Sequence, residues 1–165
     1  MTFLDPYLER LANTALAEAI RGGATLFPWL ESIHVLAIAV VVGTITIVDI
    51  RLLGYRAHRK SAGRLIVELL PYTWVAFVVA VIAGALLFSS NAVGYAHNAQ
   101  FQVKMAAIVL AGINMAAFHA TAYRRIAEWD ETHPPPLKAR LAGATSLCLW
   151  IGVIVLGRWV GFTLN

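Results

Sequence analysis

Four long apolar stretches constrain the fold of this chain more than any other feature of its sequence. They cover residues 29–53, 65–88, 101–123 and 141–162, and each exceeds the roughly 20 residues that a helix needs to cross a bilayer. The apolar fraction of 59% and the charged fraction of 13% also depart from a soluble domain in the membrane direction. We therefore predict an all-α integral membrane protein with four transmembrane helices.

The connections between these stretches are short, which favours an antiparallel, up-down four-helix bundle in which consecutive helices are neighbours. We assign residues 29–165 to this bundle and residues 1–28 to an N-terminal segment. Within that segment, residues 6–20 have the partial apolar face of a short amphipathic helix that Asp5 would cap. This helix is expected either to lie on the outer membrane surface or to dock on the bundle.

Basic residues around the helices set the predicted orientation. The first and third connections are rich in arginine and lysine, whereas the second connection, residues 89–100, has none. The basic residues are Arg51, Arg56, Arg59, Lys60, Arg64, Arg124, Arg125, Lys138 and Arg140. Because such residues accumulate on the cytoplasmic side, we expect a bacterial inner-membrane protein with both termini periplasmic or extracellular. Residues 1–30 lack the basic leader and apolar core of a secretory signal, so the helices themselves are expected to direct insertion.

Ionisable side chains at membrane depth are costly unless they face the bundle interior, so they point to function. His34, Lys104 and Arg158 lie at similar depth below the outer face. Grouped cations need an anion, which Glu31, a lipid phosphate or the carboxylates of a cofactor would supply. We predict a cofactor site with His34 as a metal ligand and with Lys104, Arg158, Trp159 and Glu31 around the cofactor. In the alternative, Lys104 and Arg158 extend to the interface and His34 is a structural histidine bonded to Glu31.

A haem iron held by His34 is expected either to remain five-coordinate or to take a second ligand from the same end of the bundle. His119 lies near the opposite end, roughly 20 Å away along the membrane normal, so the two histidines cannot share a metal ion. His97 in the second connection is the reachable second metal ligand, and Lys104 and Met105 are further alternatives.

A second layer of polar side chains is expected at the cytoplasmic ends of the helices. It consists of Asp49, Arg51, Glu68, Tyr72, His119 and Arg140. Three basic groups face two acids, which favours a structural ion-pair network that locks the helix ends together. Asn114, mid-membrane in the third helix, is predicted to hydrogen-bond between helices.

Several classes of function are disfavoured. The sequence has no Walker loop and no GxGxxG, HExxH or GxSxG motif. Its basic residues flank the helices and form no groove, so nucleic acid is not an expected partner. The expected partners are the lipid bilayer and, from the small-residue pair Gly157 and Gly161, a second copy of the chain or another membrane subunit.

Several short motifs together resemble a family of small, uncharacterised four-helix proteins of bacterial inner membranes. They are Glu31-Ser32-Ile33-His34-Val35, Asp49-Ile50-Arg51-Leu52-Leu53-Gly54, Phe101-Gln102-Val103-Lys104-Met105, the stretch from Asn114 to His119, Ala139-Arg140-Leu141 and Gly157-Arg158. This resemblance covers nearly the whole chain beyond the N-terminal segment, and it implies no particular activity.

A more distant resemblance concerns His34 and Lys104. The histidine of the first helix and the Val103-Lys104-Met105 start of the third are similar to HemJ-type protoporphyrinogen oxidases and CopD-type copper-resistance membrane domains. In the HemJ family, the matching histidine and lysine are functionally important and haem b is bound. The His-Val-Lys triplet of that family reads Gln102-Val103-Lys104 here, a departure that bears on oxidase activity more than on haem binding.

Three hypotheses follow, and no catalytic residue is predicted. The first, which we favour, is a haem b protein that transfers electrons or senses redox state near the outer face, with His34 as the axial ligand. The second is a copper-handling or small-solute protein of the CopD type, in which His34, His97 and Met105 bind copper. The third is an accessory subunit of a membrane complex that binds no cofactor.

Overall fold

The structure, a computed structural model, describes residues 3–55, 61–130 and 134–164. Its helices are α1 (Asp5–Ala12), α2 (Ala15–Gly22), α3 (Leu26–Leu52), α4 (Ala62–Ser90), α5 (Ala92–His97), α6 (Ala99–Ala120), α7 (Ile126–Trp129) and α8 (Leu137–Thr163). The four long helices α3, α4, α6 and α8 are each apolar enough to cross a membrane. The described residues contain no strand, so the prediction of an all-helical chain with four helices long and apolar enough to span a membrane is confirmed. Arg56, Arg59 and Lys60 of the first connection lie outside the described residues.

Polar residues and prolines mark where the long helices begin. The Ser61 hydroxyl accepts the backbone N–H of Arg64 at the start of α4, and the Asn98 side chain accepts that of Phe101 at the start of α6. Each bond satisfies one of the N–H groups that the first turn of a helix leaves unpaired. Pro136 precedes α8 in an extended conformation, which suits a residue that cannot donate a hydrogen bond.

Contacts between helix ends define two ends of the bundle. At one end, Arg21 of α2 donates to the carbonyl of Ser90 in α4 (3.0 Å), and Asn98 donates to the hydroxyl of Thr163 in α8 (2.9 Å). We call this the α5 end, because α5 lies between α4 and α6 there. At the opposite end, the α7 end, Asp130 accepts the first backbone N–H groups of α4.

The long helices are ordered α4, α3, α8 and α6, because α3 packs along both α4 and α8, and α6 packs along α8. The expectation that all consecutive helices are neighbours is wrong for α4 and α6, which are not packed along each other within the described residues. At the α5 end, aromatic rings stand between them. Phe88 of α4 stacks on Phe101 of α6 with ring centroids 5.5 Å apart, and Tyr95 of α5 contacts both. At the α7 end, Ile66 and Phe118 belong to one buried cluster, so the gap lies between two contact regions.

The N-terminal segment forms two short helices rather than the single helix predicted over residues 6–20. Thr14 starts the second helix, because its hydroxyl accepts the backbone N–H of Ala17 (3.3 Å). Asp5 is the first residue of α1 rather than its cap, and its carboxylate binds Nε2 of His97 at 2.9 Å. Through such contacts α1 packs against α5 and α2 packs against α4.

Candidate functional site

His34 is half-buried in α3 and faces α4. Its Nδ1 lies 2.8 Å from the backbone carbonyl oxygen of Ala80. Because a carbonyl oxygen only accepts, Nδ1 carries the proton and Nε2 keeps a free lone pair. The ring also rests directly on Gly84, where a Cβ atom would lie 2.8 Å from Cε1 of the imidazole. Helix α4 therefore fixes both the tautomer and the position of the ring.

Lys104 extends from α6 toward the interior at the same end of the bundle. Its methylene chain lies over Gly157 of α8, and its ammonium group is 6.0 Å from the ring centroid of Phe101. It forms no hydrogen bond or ion pair with any residue that the structure describes. The ammonium acts electrostatically on His34, so the structure brings these two predicted site residues together.

Glu31 and Tyr95 complete this group. Glu31 acts electrostatically on both His34 and the phenol of Tyr95. Burial is the main reason that the pKa of Tyr95 lies above its ordinary value, and the nearby Glu31 carboxylate raises this pKa further. We call His34, Lys104, Glu31 and Tyr95 the His34 cluster; it contains one imidazole with a free nitrogen and one cation without a paired anion.

Three predicted site residues lie away from the His34 cluster. The Arg158 guanidinium stands 5.0 Å above the ring centroid of Phe162 on the exposed side of α8, and Trp159 is 57% exposed. His97 is bound to Asp5 of the N-terminal helix. Depth alone suggested that Arg158 and Lys104 would meet, but the rotation of α8 about its axis turns the guanidinium outward.

A cavity of about 200 Å³ lies among the four long helices, from mid-membrane toward the α7 end. Its walls are mostly aliphatic and aromatic side chains. The polar groups that reach it are Asp49, Thr44, Thr73, Asn114, Ser146 and His119. The cavity, which Trp74 and Trp150 also line, was not predicted from the sequence. The one sign of it in the sequence is Asp49, a carboxylate at membrane depth.

Asp49 is only 4% exposed and faces this cavity. Its carboxylate accepts a hydrogen bond from Ser146 of α8. Its Oδ2 atom has no hydrogen-bond partner among the described residues. The carboxylate thus has unused acceptor capacity that points into a largely apolar space.

The predicted ion-pair layer is reorganised around Asp130, an acid that is not among its predicted members. Arg51 binds Asp130, whose carboxylate lies 3.4 Å from the guanidinium, and both side chains are less than a tenth exposed. Asp130 also accepts the backbone N–H groups of Ala62 and Gly63, each at 2.7 Å. It is therefore both the partner of Arg51 and the cap of α4.

Three other members predicted for that layer, Tyr72, Arg140 and His119, do not form the expected ion pairs with the described residues. Tyr72 and Arg140 make no hydrogen bond or ion pair with the described residues, and both are exposed. The Nδ1 atom of His119 bonds to the Met115 carbonyl of its own helix. Asn114 donates to the carbonyl of Ala142 in α8 at 2.9 Å, which is the interhelical bond predicted for it.

The described residues contain no group of three or more His, Cys, Asp and Glu side chains placed to hold a metal ion. His34 and His97, the two predicted metal ligands, bind separate partners, Ala80 and Asp5. A metal at His34 would therefore need ligands from outside that set of side chains, such as the nitrogens of a porphyrin.

Comparison with known proteins gives one match. A family described as "Family of unknown function (DUF6644)" matches residues 16–163, which include all four long helices. No curated protein and no solved structure matches the chain. The match agrees with the resemblance to an uncharacterised family, whereas the likeness to HemJ-type and CopD-type proteins stays a prediction.

Proposed function

The chain belongs to this family of unknown function, and from the His34 cluster we propose that it is a haem b-binding membrane protein with an electron-transfer or redox role. In this proposal His34 would hold the haem iron through Nε2. The absence of basic residues in the connection at residues 89–100 favours placing this cluster near the periplasmic or extracellular face.

The observation that carries the proposal is the hydrogen bond between Nδ1 of His34 and the carbonyl of Ala80. Histidines that bind metals almost always donate their other ring N–H to a carbonyl, a carboxylate or water. This bond fixes the ring orientation and increases the basicity of the ligating nitrogen. A histidine that only joined α3 to α4 would make the same bond. The haem proposal therefore also depends on the lone pair of Nε2, which the bond to Ala80 leaves free.

Lys104 supplies the second element of the fit. A cation held inside the bundle without an anion is unfavourable, and a carboxylate of the cofactor would balance it. In this proposal Lys104 binds a propionate, and Glu31 and Tyr95 lie beside the haem. A bound haem supplies reversible one-electron chemistry, while the protein sets its ligand, burial and hydrogen bonding.

The test is an absorption spectrum of the protein purified from haem-replete cells, oxidised and reduced, with elemental analysis of the same sample. We expect a Soret band and iron in the wild type, and loss of both in His34→Ala. Lys104→Met should lower haem affinity about tenfold, which corresponds to one charge-assisted bond. His119→Ala is the matched control, since this histidine bonds within its own helix, and it should keep the spectrum.

Two results would overturn the proposal. A wild-type protein without a Soret band, or a His34→Ala protein that keeps it, would exclude His34 as the haem ligand. Copper without iron would favour the copper-handling alternative, and a stable protein with neither metal would favour the cofactor-free subunit.

A further inference from the structure

The cavity near the α7 end opens to the side of the bundle. Trp74 of α4 and Gly112 and Met115 of α6 line it, and all three are also exposed at the bundle surface. They lie where α4 and α6 are not packed along each other. Because this side of the bundle is apolar, a molecule dissolved in the bilayer can reach the cavity without passing through a polar mouth.

Asp49 is the polar group in this cavity that has an oxygen atom without a hydrogen bond. Of the buried side-chain nitrogen and oxygen atoms in the described residues, its Oδ2 is the one without a hydrogen bond. The nearest arginine along the chain, Arg51, is directed to Asp130 instead. A buried carboxylate with one oxygen unsatisfied in an apolar space is costly, so this position favours a molecule that brings a hydrogen-bond donor with positive charge.

Three other polar groups that reach the cavity already have partners. Asn114 donates to Ala142, and the hydroxyls of Thr44 and Thr73 bond to each other at 2.8 Å and to backbone carbonyls of their own helices. The protein therefore offers a strong acceptor at Asp49 and little competing polarity elsewhere on the wall.

Aromatic side chains surround the rest of the space. Trp74 and Phe77 of α4 meet edge to face with centroids 5.9 Å apart, and Trp150 of α8 and Phe118 of α6 also line the cavity. Aromatic faces attract cations when water is excluded, and they also accept apolar groups. A buried carboxylate within such walls suits a molecule with a charged nitrogen and a hydrophobic body.

We propose that this cavity is a binding site for a hydrophobic amine, whose protonated nitrogen donates to Oδ2 of Asp49 and whose apolar body lies between α4 and α6. The site is separate from the His34 cluster, because His34 and Lys104 do not line the cavity. Amine binding in this cavity therefore does not depend on haem binding at His34.

The experiment compares two probes of nearly equal shape, 4-phenylbutylamine and 4-phenylbutan-1-ol, binding to the full chain in lipid nanodiscs. Trp74 and Trp150 line the cavity, so intrinsic tryptophan fluorescence reports binding, and empty nanodiscs measure partition into lipid. We expect saturable binding of the amine at least about tenfold tighter than that of the alcohol, the size of one charge-assisted contact. Asp49→Asn should remove this preference, and the exposed Glu128→Gln should keep it.

A second pair of variants tests the site without altering Asp49. Gly112 lines the cavity and a Cβ there would meet no atom within 4 Å, so Gly112→Phe should fill the opening and abolish amine binding. Gly43→Phe is the matched control, since Gly43 has the same free space but is exposed and does not line the cavity.

Equal amine affinity in the wild type and Asp49→Asn, or a stronger binding of the alcohol, would overturn the proposal. Amine binding that survives Gly112→Phe would also overturn it.

Discussion

The imidazole of His34 lies in contact with the backbone of Gly84, so that a side chain at residue 84 would occupy its space. A Cβ there would be 2.8 Å from Cε1 and 3.2 Å from Nδ1 of His34. The same ring is held by the carbonyl of Ala80, one turn earlier in α4. A glycine and a carbonyl one turn apart thus determine where the free Nε2 atom can point.

Gly84→Ala is therefore expected to displace the His34 ring and weaken its bond to Ala80. Overpacking of this kind costs about 1–3 kcal/mol, and in a haem-bound protein it should shift the Soret band or lower haem occupancy. Gly43→Ala is the control, because a Cβ at Gly43 meets nothing within 4 Å. Absorption spectra of the two variants give the answer, and identical spectra would argue against control of the ligand by α4.

Asp130→Ala should be strongly destabilising, because it removes the partner of Arg51 and the cap of α4 together. Loss of one partner from a buried ion pair costs about 3–5 kcal/mol. The exposed neighbour Glu128→Ala should change stability by less than about 0.5 kcal/mol. Thermal unfolding in one detergent compares them, and similar midpoints would show that Asp130 does not stabilise the α7 end.

His97→Ala should loosen α1 without changing a haem spectrum. Its bond to Asp5 helps to hold α5 against the start of α1, and the His97 side chain is 47% exposed, so the bond is worth at most about 1 kcal/mol. Hydrogen exchange should become faster in α1 and stay unchanged in α3. Loss of the Soret band in this variant would instead identify His97 as a metal ligand.

Asn114→Leu should cost about 0.6 kcal/mol, the average found for interhelical hydrogen bonds in membranes. The carbonyl of Ala142 loses the hydrogen bond from Asn114 but remains part of helix α8. Ile113→Leu is the control, because Ile113 is 59% exposed and faces outward. Reversible unfolding of both variants measures the difference, and a loss of several kcal/mol would mean that Asn114 supports the cavity wall as well.

Tyr95 should ionise at higher pH than an ordinary tyrosine, because burial and Glu31 raise its pKa. The folded chain holds the phenol proton more tightly than the unfolded chain does. The resulting stabilisation is complete below the ordinary pKa of about 10 and is lost as the pH rises through the folded-state value. Phenolate absorbance, assigned by its loss in Tyr95→Phe, follows the titration. Glu31→Gln should lower the pKa of Tyr95, and an unchanged titration would contradict the electrostatic effect of Glu31 on the phenol.

Much of the fold could be read from the sequence. Four apolar stretches longer than a bilayer crossing allow little else than four membrane helices, because backbone groups in lipid must be paired internally. The same counting placed His34 and Lys104 at one depth, and the structure brings them together. The interhelical role of Asn114 also followed from a lone amide in an apolar helix.

The sequence by itself determined how far along its helix each side chain lies. Only the tertiary structure decided which side of the helix that side chain faces. A membrane helix is apolar on every side, so its pattern does not reveal which face meets a neighbour. For this reason Arg158 was expected beside Lys104 but lies over Phe162. Asp130 could not be paired with Arg51 from sequence, since they are 79 residues apart. The gap between α4 and α6, and the cavity that leaves Asp49 with an unpaired oxygen, depend likewise on how side chains from separate helices meet.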